Sequence, residues 1–114
     1  MRREITGFSN PLVKQVRSLR DKKYRRRERK FLAEGLRIMT EAREAGFLPE
    51  MLFRAKDREV HALEIQLEEA VLAKGGDVIE TSVDILSKLS GKENAQAVVG
   101  VYAEHGTALD QVDR

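Results

Sequence analysis

Apolar runs and amphipathic segments alternate along the chain. Four apolar runs have the length of strands, at 30–34, 51–53, 77–80 and 97–102. Between them, at 35–46, 57–74 and 85–89, apolar residues recur every three or four positions, which is the helical pattern. The alternation predicts an α/β domain with a largely parallel sheet and helices on both faces. Continuous apolar runs are typical of strands covered on both faces, so 30–34 is expected to be buried.

An additional helix is predicted before the first strand. It should begin at Asn10-Pro11, because asparagine caps helices and proline suits the first helical position. Residues 1–9 are expected to be extended or irregular, and the helix should fray or break within 21–29. Gly46 and Gly75-Gly76 are expected to end the next two helices. The residues expected to face inward are Leu12, Val13, Val16, Leu19, Ile38, Met39, Ala42, Ala45, Val60, Leu63, Leu67, Ala70 and Val71.

Charge divides the chain unequally. The net charge is only +2, from 21 basic and 19 acidic residues. Residues 1–30 carry 12 of the basic residues and three acids, which gives +9, and the rest sums to −7. Such a split points to a nucleic-acid or anionic-surface partner at the basic end. The alternative is a solvated basic helix without a partner.

Composition removes several classes of site. There is no cysteine, which excludes disulfides and thiolate metal sites, and the two isolated histidines do not suggest a metal centre. No apolar run approaches the roughly 20 residues that cross a bilayer, and no secretory signal is present, so a cytoplasmic protein is expected. Neither a glycine-rich phosphate loop nor a catalytic triad is suggested by spacing. The residues therefore indicate binding, with no catalytic or metal-ligating residue.

A binding surface is predicted where the basic segment 22–30 meets the strand 30–34 and the following helix. Gly35 would open that helix, where free N–H groups and a partial positive charge attract anions. Arg37 is expected one turn inside the same helix, and Tyr24 could stack on an unpaired base. The structural alternatives are that Gly35 makes a tight turn, that Glu34 favours the helix dipole and that Tyr24 covers the core.

These residues carry a resemblance to a known family. Ser9-Asn10-Pro11, Lys14, Leu19, Lys23-Tyr24-Arg25 and Phe31-Leu32-Ala33-Glu34-Gly35-x-Arg37 occur in order. Together they resemble the N-terminal substrate-binding domain of the SpoU/TrmH-type (SPOUT) RNA ribose 2′-O-methyltransferases. The resemblance spans about 9–103. It departs at Gln96-Ala97, where the family usually has Gln-Gly.

The resemblance implies a small three-layer α/β/α sandwich like that of the kink-turn-binding ribosomal proteins, without the family's knotted catalytic domain. Its RNA-facing edge would join the helix after the first strand to the loop before the last strand. The positions implied by that edge are Glu34, Gly35, Arg37, Lys88, Lys92 and Gln96. The flanking basic residues expected to extend it are Lys14, Lys22, Lys23, Arg25 and Arg26.

The implied function is recognition of ribosomal or transfer RNA for a ribose 2′-O-methyltransferase. In the family S-adenosylmethionine binds in a separate C-terminal domain, so no cofactor is expected in this chain. Residues 1–104 would form the RNA-binding domain and 105–114 a linker or tail toward that domain. The chain alone would be monomeric and non-catalytic, and the longer enzyme a homodimer through its catalytic domain.

Two alternatives stay open. One is a free-standing RNA-binding protein related to ribosomal proteins, and the coding sequence beyond Arg114 would separate it from the enzyme domain. The other is an adaptor whose basic face meets an acidic protein, and competition with RNA would separate that one.

Overall fold

The computed structural model describes residues 1–7, 9–56, 62–90 and 98–103. Five strands and five helices lie along these residues. In chain order they are β1 (Arg2–Ile5), α1 (Pro11–Ser18), α2 (Lys22–Glu28), β2 (Lys30–Glu34), α3 (Leu36–Glu44), β3 (Met51–Ala55), α4 (Ala62–Ala73), β4 (Asp77–Thr81), α5 (Val83–Ser90) and β5 (Val98–Ala103). The predicted α/β class is confirmed, and all four predicted strands are present.

The strands form one mixed sheet in the order β1-β4-β3-β5-β2. β4 is parallel to both β1 and β3, whereas β5 is antiparallel to both β3 and β2. The expectation of a largely parallel sheet is therefore wrong for β5. The expectation that β2 is buried is also wrong, because β2 lies at the sheet edge and its five residues are only half-buried.

Two hydrophobic cores cover the two faces of the sheet and confirm the three-layer α/β/α sandwich. Side chains alternate between the faces, so Leu52 packs against α3 and α4 while Phe53 packs against α1 and α5. Val78 and Ile79 divide in the same way. Complete burial of each such side chain stabilises the folded state by roughly 1.5–3 kcal/mol. Both cores therefore contribute to the stability of the sheet.

Helix α1 begins where the sequence predicts, but it ends earlier than predicted, at Ser18. Asn10 Oδ1 accepts from the Leu12 backbone N–H at 2.8 Å, and Pro11 opens the helix. The break comes at 19–21, earlier than the expected 21–29, because α1 ends at Ser18 and a second helix, α2, forms where the chain was expected to fray or break. Asp21 caps α2 by accepting from the Lys23 N–H at 2.9 Å, and Arg29 ends it in the left-handed conformation.

The inward faces of α3 and α4 differ from the expected ones. Ile38 is 57% exposed and Leu63 is 43% exposed, and Ala45 is exposed as well. On α4 the buried positions include two acids, Glu64 and Glu68. The inward positions of Met39, Leu67 and Val71 are confirmed. The predicted start of this helix at Asp57 and the predicted inward position of Val60 lie outside the described residues.

A buried arginine explains the inward acids of α4. Arg54 Nε lies 3.1 Å from Glu64 Oε2 and 3.2 Å from Glu68 Oε2, and its Nη1 donates to Glu80 at 3.1 Å. Arg2 of β1 donates to Glu68 Oε1 at 2.9 Å. Burial raises the pKa of Glu68, the Arg2 hydrogen bond opposes that rise, and contact with the Glu64 carboxyl adds to it. The network thereby links β1, β3, β4 and α4.

Glycine and serine mark the helix ends. Gly46 and Gly75 have φ of +94° and +86°, as expected of residues that end α3 and α4. Ser82 caps α5, because its hydroxyl accepts from the Ile85 N–H at 3.1 Å. Among the described residues, none of the helices is long and apolar enough to span a bilayer. The predicted tail at 105–114 lies outside those residues.

Candidate nucleic-acid interface

Helix α2 presents cations to solvent. None of its residues is fully buried, and Tyr24, Arg25 and Glu28 are half-buried. Lys22, Lys23 and Arg26, here named the α2 cations, are exposed, and none of them forms an ion pair with a described residue. Lys14 on α1 is also exposed. Cations without a protein partner can neutralise phosphates without first breaking an internal ion pair.

Arg25 has a different environment from the α2 cations. It is half-buried, and its Nη1 donates to the backbone carbonyls of Leu19 at 3.2 Å and Arg20 at 2.9 Å. These carbonyls follow the last turn of α1, where helices leave acceptors unsatisfied. Arg25 therefore fastens α2 to the end of α1 in addition to contributing positive charge.

The ring of Tyr24 is in contact with neighbouring cations. The Arg27 guanidinium lies 4.6 Å from the ring centroid, and the Lys23 ammonium lies 6.0 Å from it. Both distances are in the range of cation–π attraction. A base that stacks on the face covered by Arg27 would have to displace that side chain.

The end of β2 and the start of α3 form the next part of the surface. Gly35 has φ of +100°, and its N–H donates to the Val98 carbonyl at 3.0 Å, which joins the start of α3 to the start of β5. Glu34 is half-buried beside it. The Arg37 side chain is 92% exposed and pairs with Glu41 at 3.5 Å, one helical turn away. The start of α3 therefore contacts the start of β5, whereas the loop before that strand, which the predicted edge includes, lies outside the described residues.

An open cleft of about 310 Å³ lies beside this junction. It brings together the end of α1, α2, the end of β2 and the end of α5. Its lining residues are Leu19, Arg20, Arg25, Leu32, Ala33, Glu34, Leu89, Ser90 and Val99. Of the predicted site residues, Arg25 and Glu34 line this cleft. Lys88 is exposed on α5, and its carbonyl accepts from Arg20 Nη1 at 3.4 Å.

Sequence reasoning missed Arg20, Leu32, Leu89 and Ser90 as cleft residues. Arg20 lies just before the basic segment 22–30, so charge alone could have indicated it, whereas the other three carry no local signal. Lys92 and Gln96 lie outside the described residues, and their predicted roles stay predictions. No group of three or more acids, histidines or cysteines among the described residues could hold a metal ion.

Beneath the cleft, β2 is fixed to β5 on its opposite face. Phe31 stacks on Tyr102 with ring centroids 5.4 Å apart and an interplanar angle of 11°. Burial raises the pKa of the Tyr102 hydroxyl to about 12, so the ring remains neutral across the physiological range. The stack holds the edge strand in place below the residues that line the cleft.

The chain matches a known protein family over the elements that surround the cleft. Residues 10–100 match the family model of the MRM3-like substrate binding domain, which is most of the chain. The chain belongs to this family. The match runs from the start of α1 into β5 and therefore includes every residue that lines the cleft. No match was found among curated protein sequences.

Solved structures resemble this MRM3-like domain over nearly its whole length. An rRNA methyltransferase from Sinorhizobium meliloti is 31% identical, with a TM-score of 0.79, and the match covers 91% of this chain and 38% of that protein. An RNA 2′-O ribose methyltransferase is 28% identical, with a TM-score of 0.75 and coverage of 91% and 38%. The chain thus spans less than half of these enzymes, and the resemblance to SpoU-type methyltransferases is confirmed.

A Giardia lamblia 15.5kD RNA binding protein shares the fold at 17% identity, with a TM-score of 0.58 and coverage of 89% of this chain and 77% of that protein. This likeness concerns the fold alone. It agrees with the expected sandwich of the kink-turn-binding ribosomal proteins.

Proposed function

We propose that this MRM3-like domain recognises RNA for a ribose 2′-O-methyltransferase. The observation that carries the proposal is the group of α2 cations, which have no described ion-pair partner and lie on the helix whose Arg25 lines the cleft beside the end of β2. Phosphate contacts from such cations supply affinity and orientation. Ribosomal RNA is the favoured substrate, because the 31% identical neighbour is an rRNA methyltransferase; transfer RNA is the second.

The domain would act by positioning. It holds the RNA so that one ribose 2′-OH reaches the methyl group of S-adenosylmethionine, which we place in a separate catalytic part of the enzyme. One of the similar solved structures, an rRNA methyltransferase from Sinorhizobium meliloti, contains bound AdoMet. Holding two reactants in the correct geometry removes much of the entropic barrier to a bimolecular step. No described residue of this chain is assigned a role in methyl transfer.

The surface favours RNA over an acidic protein as the partner. The cleft places Arg20, Arg25 and Glu34 beside the half-buried Leu32 and Ala33, and unpaired bases likewise combine apolar faces with polar edges. An acidic protein would use the α2 cations and leave the cleft empty.

Fluorescence anisotropy with a labelled ribosomal RNA stem-loop tests the proposal. We expect saturable binding that unlabelled stem-loop displaces and that polyglutamate, an acidic polymer without bases or ribose, displaces far less well. Equal displacement by polyglutamate would show a generic basic surface. Absence of binding at low salt would contradict the proposal outright.

A further inference from the structure

Two arginines from different parts of the chain line the cleft together. Arg20 lies just beyond the end of α1 and is exposed, whereas Arg25 lies on α2 and is half-buried. The apolar lining residues Leu19, Leu89 and Val99 are at most 2% exposed, so a ligand barely reaches them. The two guanidiniums are therefore the main groups that this side of the cleft offers to a ligand.

Backbone carbonyls hold each guanidinium through a single nitrogen. Arg20 Nη1 donates to the Lys88 carbonyl of α5 at 3.4 Å. Arg25 Nη1 donates to the Leu19 carbonyl at 3.2 Å and to the Arg20 carbonyl at 2.9 Å, which places its guanidinium beside the Arg20 backbone. A guanidinium has five N–H donors on three nitrogens, so Nε and Nη2 of each arginine remain available. The cleft thus holds two anchored groups that still have hydrogen bonds to donate.

The charges of the cleft favour an anion. Neither arginine forms an ion pair with a carboxylate among the described residues. Two arginines against the single carboxylate of Glu34 leave the lining with a net positive charge. An anion that contacts both guanidiniums offsets their mutual repulsion, and it must lie away from Glu34 because like charges repel. The arginine end of the cleft is therefore suited to a small, multiply hydrogen-bonding anion.

We propose that Arg20 and Arg25 together bind one backbone phosphate of the RNA. The inference rests on the proposed function and deepens it, because it separates one fixed phosphate site from the α2 cations. Guanidiniums hold phosphate oxygens through pairs of parallel N–H donors, a geometry that lysine does not provide. The arginine pair sets the register of the RNA on the domain, whereas the α2 cations supply affinity at exposed positions.

Inorganic phosphate tests the site without any RNA. Side-chain NMR follows the Nε–H signal of each arginine while phosphate replaces chloride at constant ionic strength. We expect saturable shifts in the millimolar range for Arg20 and Arg25, while the exposed Arg43 at the end of α3 barely responds. Shifts of equal size at Arg43, or no saturable shift at Arg20 and Arg25, would overturn the proposal.

Replacement of Arg20 by lysine separates geometry from charge. Arg20 is the residue to change, because Arg25 also fastens α2 to the end of α1. We expect Arg20→Lys to weaken stem-loop binding about five- to tenfold while the slope of log K against log salt stays that of the parent, since the charge is kept. Arg43→Lys is the matched control and should change neither quantity. Parent-like affinity of Arg20→Lys would overturn the proposal.

Neutral methylphosphonates, placed one at a time along the stem-loop, locate the phosphate. We expect one position to weaken binding to the parent about tenfold and to cost far less in Arg20→Lys. Removal of the base from that nucleotide should cost far less than the methylphosphonate. A profile without a distinguished position, or one that Arg20→Lys leaves unchanged, would overturn the arginine site while leaving RNA recognition intact. Failure of every stem-loop to bind would overturn the proposed function and this inference with it.

Discussion

The Arg25 guanidinium donates to the backbone carbonyl of Leu19, just beyond the end of α1, at 3.2 Å. A second bond from the same nitrogen reaches the Arg20 carbonyl at 2.9 Å. One residue of the basic segment thus supports the fold while its neighbours face solvent. Replacing Arg25 consequently tests the stability of the fold, whereas replacing the α2 cations tests the binding of RNA.

Arg25→Ala should destabilise the domain. Two charge-assisted hydrogen bonds to helix-end carbonyls are lost, and partial exposure limits the expected cost to about 1–2 kcal/mol. Arg26→Ala is the matched control, because Arg26 is exposed and its loss should change stability by less than about 0.5 kcal/mol. Urea unfolding followed by circular dichroism measures both. Similar midpoints for the two variants would mean that the Arg25 bonds contribute nothing.

Gly35→Ala should destabilise the domain as well. A φ of +100° is a conformation that L side chains rarely adopt, so alanine is strained there. The expected cost is about 1–3 kcal/mol. Thermal unfolding is the measurement, and Gly7→Ala serves as the control because a Cβ at Gly7 would meet nothing within 4 Å. An unchanged Tm for Gly35→Ala would show that the local backbone relaxes without cost.

The buried network around Arg54 predicts a pH dependence of stability. The pKa of Glu68 is raised above its ordinary 4.5, chiefly by burial, so the folded state holds this proton more tightly than the unfolded state. The stabilisation from this group is complete below about pH 4.5 and is lost as pH rises through the folded-state pKa. Glu68 thus favours the folded state less at neutral pH than in acid.

Glu68→Gln imitates the protonated carboxyl at every pH. The stability of the variant relative to the parent should therefore rise between pH 4 and pH 8 and level off above the folded-state pKa of Glu68. Parallel unfolding curves at several pH values provide the comparison, with the exposed Glu69→Gln as control. A constant difference across this range would show that Glu68 titrates normally.

Local patterns predicted the strands and most helix ends because those signals are short-range. Asn10-Pro11 and Gly46 mark helix boundaries through their own conformational preferences, and the apolar runs of β3 to β5 reflect burial on both faces. Helix α2 escaped detection because it buries no side chain and has no apolar period. Strand β1 escaped because its first three residues are exposed and charged.

The misassigned positions depend on contacts between residues far apart in the chain. Leu63 was expected to face inward and is 43% exposed, whereas the neighbouring Glu64 is completely buried, because Arg54 of β3 needs acidic partners in a buried position. The antiparallel direction of β5 likewise cannot be read from an apolar run. The cleft forms only when Arg20, Leu32 and Leu89 come together, and no spacing along the sequence predicts that meeting.

The central claim is that the α2 cations meet an RNA backbone, and the salt dependence of binding tests it most directly. The variant is Lys22→Ala/Lys23→Ala/Arg26→Ala, and the control is Arg43→Ala/Lys74→Ala, which removes exposed cations near the C-terminal ends of α3 and α4. For about four to six phosphate contacts to looped RNA, log K against log salt should have a slope of about −3 to −4 in the parent.

Loss of three contacts should flatten the slope by about two units and weaken binding to every RNA tested, while the control keeps the parent slope. Anisotropy titrations at several salt concentrations supply these values. If the triple variant binds as tightly as the parent with the same slope, the α2 cations are a solvated face and the account is wrong.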